Sequence, residues 1–215
     1  MQRILRGLAI FMAVLGGFVS TASADPAARA VYRDASGKWV LYTPPIRVGP
    51  RAVETYGPFS VTFLDVEKST GISFDDPVEG PARRATFGAV CVFLGAALQV
   101  AGTADIEVQE SVEVGGFNWL AGATTIFDRT ADHGCHNGYV FKHLTTGVDP
   151  EVDVPDGIVE IDFGHNWNSG VGAPAVNQYD LFGVMLHEMT HALGFLSLTD
   201  EKGEGAEWCG PGHPS

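Results

Sequence analysis

The sequence predicts an α+β domain in which a twisted mixed β-sheet carries two long helices. Three observations lead there. Segments 59–66, 104–114 and 157–163 alternate or concentrate apolar residues at strand period. Segments 82–100 and 177–193 repeat them at helical period. With 27 Gly and 12 Pro in 215 residues, the connections are irregular, which argues against a helical bundle.

The chain opens on a secretory signal pattern. Arg3 and Arg6 precede an apolar run at 8–19 that is too short to span a bilayer, and Ala22-Ser23-Ala24 supplies a small-residue cleavage site. Residues 1–24 therefore read as a signal peptide. The location expected is secreted or periplasmic, with no stable membrane insertion once the signal is removed. Removing Arg3 and Arg6 leaves 11 Lys and Arg against 26 Asp and Glu, so the formal charge moves from −13 to −15. So acidic a surface repels nucleic acid and anionic membranes.

The elements follow in order. Segment 31–42 reads as a hairpin turning at Asp34-Ala35-Ser36-Gly37, and 44–58, with its prolines, as a connector. Together 25–58 form an N-terminal hairpin and Pro-rich link. Residues 59–66 give the first strand of the main domain, 59–198. The helix at 82–100 holds Phe87, Val90, Cys91, Leu94 and Leu98 on one side. Strands are expected at 104–114 and 123–127, then an irregular stretch at 128–155, then a strand at 157–163. The second helix runs over 177–193, with Asn177 as its cap and Asp180 completing a capping box. Gly194 stands where a helix ends in a left-handed turn. The tail at 199–215 is polar and irregular. Export makes one disulfide plausible among Cys91, Cys135 and Cys209, with Cys91–Cys135 the favoured pairing.

Chemistry concentrates in the second helix. His187 and His191 are four residues apart, so their imidazoles lie one turn above the other and can aim at one point. Neutral imidazole is a good Zn2+ ligand. Glu188 is rotated off that face and can accept a proton from a metal-bound water, which makes it a candidate general base for amide hydrolysis. A bare HExxH arises by chance in on the order of one chain per hundred of this length; the apolar helix around it, Gly194 after it and the export signal all lower that chance.

The segment His187-Glu188-Met189-Thr190-His191-Ala192-Leu193-Gly194-Phe195 resembles the zinc helix of metzincins. Its HExxHxxGF form is similar to that of leishmanolysin-like peptidases and of exported bacterial proteins with HELGHALGF-type helices. The resemblance implies that His187 and His191 bind zinc, that Glu188 is the catalytic base, and that Gly194 redirects the chain under the metal. It also implies a protein or peptide substrate, paired by strand addition with the strand at 157–163 as upper edge of the cleft. The sequence departs from the family twice. Ser197 stands where the compact pattern has its third histidine, and no methionine follows Met189 to form a methionine turn. Leishmanolysin-like enzymes take the third histidine from further on, and here His213 is the candidate; Asp200, Glu201, Glu204 and Glu207 are carboxylate alternatives. Both departures fit a chain that ends before a C-terminal subdomain. They also open a second reading, a metzincin-like domain without catalysis that serves binding.

Other clusters carry less. His133-Gly134-Cys135-His136 reads as a surface loop before a metal site. Asp149, Glu151, Asp153 and Glu160 fit acidic positions of an EF-hand loop, but Val154 replaces its glycine, Pro155 follows and a strand comes next. What remains there is a looser structural Ca2+ site as an expectation. No phosphate loop, dinucleotide fingerprint, nucleic-acid signature or serine-hydrolase elbow is present.

Overall fold

The computed structural model describes residues 29–33, 39–41, 53–65, 71–111, 119–129, 135–136, 138–170 and 172–195. The signal segment, the tail at 199–215, Ser197, Cys209, His213 and its carboxylate alternatives lie outside them, as do the side chains of Cys135 and His136.

The main sheet has the order β3-β4-β5-β9-β6. Its strands are β3 (Val53–Tyr56), β4 (Phe59–Phe63), β5 (Ala104–Glu110), β9 (Gly157–Ile161) and β6 (Ala121–Thr125). The three middle strands are mutually parallel, and β3 and β6 run antiparallel at the two edges. The register sorts side chains cleanly. Val61 faces Ile106 and Phe63 faces Val108, which in turn faces Val159, and all of these are buried. That face is the core. The alternate positions carry Ser60, Thr62, Asp105, Glu107, Gln109 and Glu160, giving a polar face on which Gln109 donates to Glu160 at 2.8 Å.

Helices α1 (Gly80–Leu98) and α3 (Leu181–Ala192) close the apolar face, packed on each other and joined at Phe93–Phe182. α1 contributes Phe87, Val90, Cys91 and Leu94 to the core, and α3 contributes Leu181, Met185, Met189 and Ala192. α1 starts at a proline in its first turn and stops at Gln99, whose left-handed backbone lets its N–H reach the Gly95 carbonyl. The helix can approach the β3–β4 turn only because Gly95 lacks a Cβ, which would stand 2.3 Å from Pro58 Cδ. At the far ends of β4 and β9, Phe63, Phe74, Phe87 and Phe163 form a ring cluster, and Arg83 covers Phe163 at 4.2 Å.

Several expectations need correction. A third helix, α2 (Tyr139–Thr146), occupies part of the stretch expected to be irregular. β3 lies inside the expected connector. Its residues alternate between exposed and half-buried, so it shows no apolar run. The hairpin is present as β1 (Arg29–Arg33) and β2 (Trp39–Leu41), and β1 also pairs with β7 (Phe127–Arg129), which pairs with β8 (Cys135–His136). A two-residue parallel pair, β10 (Trp167–Asn168) with β11 (Tyr179–Asp180), precedes α3. α3 therefore begins at Leu181, not at Asn177. Asp180 is its cap, with the carboxylate accepting from Gly183 N–H at 3.2 Å. Cys91 is a free thiol, fully buried in the core, so the Cys91–Cys135 disulfide is not formed. The strand at 157–161 is not a cleft edge. Buried along nearly its whole length, it sits between β5 and β6, and the small-residue strand β6 takes the edge.

Among the described residues no helix is long and apolar enough to cross a membrane.

Candidate metal centre

α3 is anchored by its buried stripe and leaves one side free. Leu181, Met185, Met189 and Ala192 point into the core, while His187 is exposed and His191 half-buried. The stripe at i, i+4 and i+8 fixes the rotation of the helix, and with it the direction of the two imidazoles. The helix rests on β6 and β9, which places the motif over the antiparallel edge of the sheet.

The two imidazoles converge. Nε2 of His187 and Nε2 of His191 stand 3.0 Å apart, with the rings nearly perpendicular at 88°. Two nitrogens bound to one tetrahedral zinc at about 2.0–2.1 Å are about 3.3 Å apart. The observed spacing lies within a few tenths of an ångström of that bite, so the pair fits the ion with little adjustment.

The helix end supplies the second part of the arrangement. Gly194 has φ +100°, and this turn sends Phe195 back against the helix. Phe195 N–H donates to the Thr190 carbonyl at 3.1 Å and Gly194 N–H to the His191 carbonyl at 2.9 Å. The Phe195 carbonyl then accepts from Nδ1 of His191 at 2.7 Å. A carbonyl only accepts, so Nδ1 carries the proton and Nε2 keeps its lone pair outward, the tautomer a metal ligand needs. Thr190 Oγ1 donates to the His187 carbonyl at 2.6 Å, bracing the same turn.

Glu188 follows His187 by one position, about 100° round the helix, and is turned to the buried side with 7% exposure. Burial pushes its carboxyl above the ordinary carboxylate range, while His191 and His187 pull it the other way. A carboxylate raised in this way is a stronger base than an exposed one, which suits the role of proton acceptor.

The role of Phe195 was missed at the level of sequence, although the glycine before it was the available signal. The expected third ligand, His213, is outside the described residues. Of the expected calcium positions, Asp149 Oδ1 accepts from Glu151 N–H at 2.9 Å, and Glu151 accepts from Tyr139 OH at 3.3 Å. Glu160 lies on β9, paired with Gln109. These carboxylates are spent on local turns and cross-strand pairing and do not converge. Among the described residues, the group of three ligand-type side chains close enough to hold an ion is a different one, Asp105, His143 and Asp156, which no sequence motif joins.

No protein-family model, no curated protein and no solved structure matches this chain.

Proposed function

We propose that the protein is an exported zinc-dependent endopeptidase in which His187 and His191 hold the metal, His213 completes the ligand set and Glu188 is the general base. The convergence of the two Nε2 atoms to 3.0 Å, with Nδ1 of His191 tied to the Phe195 carbonyl, carries this reading. Zinc, when bound, supplies Lewis acidity that polarises a carbonyl and makes a nearby water more acidic. Glu188 does the proton work: it takes the proton from the attacking water and delivers it to the leaving amine. The edge strand β6 lies beneath the motif helix, and among the described residues no strand of the main sheet pairs with its outer side, where an extended peptide would add.

The second reading is a non-catalytic binding domain built on the same helix. What favours it is that Ser197, a poor zinc ligand, stands where the compact pattern has its third histidine. One set of measurements separates the two. Protein starting at Asp25 is assayed for zinc content and for cleavage of an unstructured protein, as wild type, Glu188→Gln and His213→Ala. The peptidase reading expects chelator-sensitive cleavage that falls by about 10²–10⁴ in Glu188→Gln with zinc retained. Cleavage surviving Glu188→Gln, or wild-type protein that takes up no zinc, ends that reading. Zinc unchanged in His213→Ala removes His213 from the ligand set.

A further inference from the structure

Where β5 and β9 begin, three elements meet at one carboxylate. Asp105 is the second residue of β5, Asp156 immediately precedes β9, and His143 lies in the last turn of α2. Oδ2 of Asp156 is filled: it accepts from Asp105 N–H at 2.7 Å and stands 2.7 Å from Nδ1 of His143. Oδ1 of Asp156 is buried and has no hydrogen-bond partner. The side chain that carries it is only 1% exposed. A buried carboxylate oxygen without a partner is a costly feature, and it marks a place where something positive belongs.

The neighbours supply the rest of a coordination sphere. One ligand-type atom from each of Asp105, His143 and Asp156 lies within 4.8 Å of the other two. The backbone locks this geometry, because Asp156 N–H donates to the Asp105 carbonyl at 2.7 Å and Ile126 N–H to the Asp156 carbonyl at 2.8 Å. Asp105 is the half-buried member of the cluster, and it also lines a groove on the polar face together with Ser60, Thr62, Glu107, Val152 and Val154.

We infer that Asp105, His143 and Asp156 form a second metal site, separate from the α3 histidines, that takes a divalent cation of the zinc class. Two carboxylates balance the charge of one divalent ion. A ring nitrogen among the donors favours a borderline transition cation over Ca2+, which takes six to eight oxygens. The site is structural. It joins α2 to the starts of β5 and β9, and it satisfies the buried Oδ1 of Asp156.

The test uses the full mature chain carrying His187→Ala and His191→Ala, so that zinc on α3 does not contribute. After chelation and dialysis the protein is titrated calorimetrically with Zn2+, and in parallel with Ca2+. The expected result is uptake of about one equivalent of Zn2+, weakened at least about tenfold by either Asp105→Asn or His143→Gln. Asp105→Asn keeps the backbone bonds of Asp105 and changes only a half-buried side chain, and circular dichroism checks that it folds. If the double-histidine protein is unfolded, the comparison moves to the wild-type background, where Asp105→Asn should bind about one equivalent fewer than wild type. A folded double-histidine protein that binds no zinc overturns the site and leaves Asp156 as a hydrogen-bonded brace only. Binding that neither Asp105→Asn nor His143→Gln changes overturns it equally. Calcium taken up in preference to zinc overturns the assigned cation class. Because the α3 histidines are absent, failure here says nothing against the peptidase reading, and failure of the peptidase reading leaves this site standing.

Discussion

At the scale of single residues, the tightest constraint on the candidate site falls on a backbone position. Gly194 adopts φ +100° with nothing within 4 Å of where a Cβ would be, so a side chain there meets no clash and the whole penalty is conformational. Placing Ala in that region costs about 1–2 kcal/mol. Relief of the strain would move the Phe195 carbonyl away from Nδ1 of His191. Gly194→Ala is therefore expected to lower zinc affinity about 10–100-fold, read by competition with a chromophoric chelator, and Gly194→Asn less, because Asn tolerates positive φ better. Equal affinity in all three proteins would show that the carbonyl does not hold the imidazole. Cys91 makes a second residue-level case. Burial pushes its thiol up to about 12, so at pH 8 the native thiolate fraction is about 10⁻⁴. Iodoacetamide at that pH should leave Cys91 unmodified in native protein and label it in denaturant, with peptide mass analysis as the readout. The sign of the linkage is that of a raised acid. The native state holds the proton more tightly than the unfolded chain, so this contribution is complete below the free-thiol pKa of about 8.5 and is lost as pH rises toward 12.

At the scale of elements, α3 is short, and its start is set by one side chain. Asp180 accepts from Gly183 N–H, so Asp180→Ala should destabilise the fold by about 1 kcal/mol. Urea unfolding checks this, and Asp180→Asn should recover most of the loss. Stability unchanged in Asp180→Ala would mean that the apolar stripe alone seats the helix. Some elements could be read from sequence because their signal is local. The apolar spacing of α1 and the run Gly-Ile-Val-Glu-Ile of β9 are of that kind, and so were the two histidines, since helical geometry alone places them on one side. α2 was not legible. Its eight residues include Tyr, Val, Phe and two Thr, which favour strand, and Gly138 offers no side-chain cap. Only the burial of Tyr139, Val140, His143 and Leu144 together makes it amphipathic, and that pattern comes from packing. β3 hid for the opposite reason, being an exposed edge with little to bury. Asp105, His143 and Asp156 come from three separate elements, so nothing short of the folded chain brings them together.

At the scale of the whole molecule, the larger of two buried clusters joins the helices to the sheet, so an ion held on α3 stabilises the fold and not just one loop. Phe87 and Leu94 of α1, Val140 of α2, Met185 and Met189 of α3, and Val61, Val108 and Val159 of the sheet belong to one continuous cluster. A ligand that binds only the folded state then raises the melting point of the entire unit. Free zinc at 1,000 times its dissociation constant adds about 4 kcal/mol, and each kcal/mol moves the midpoint of a domain this size by about 2–4 °C. Chelation should therefore lower the melting temperature by roughly 8–16 °C per site at that saturation. The two proposed sites leave separable signatures in this experiment. His187→Ala with His191→Ala should abolish one part of the chelator-sensitive shift, Asp105→Asn the other, and the triple variant should melt at the same temperature with and without EDTA. The two parts should also add, since the sites share no ligand and sit on different elements. A wild-type melt that EDTA does not move would remove zinc from both sites at once. A shift abolished entirely by the α3 histidine variants would confine the metal to the motif helix.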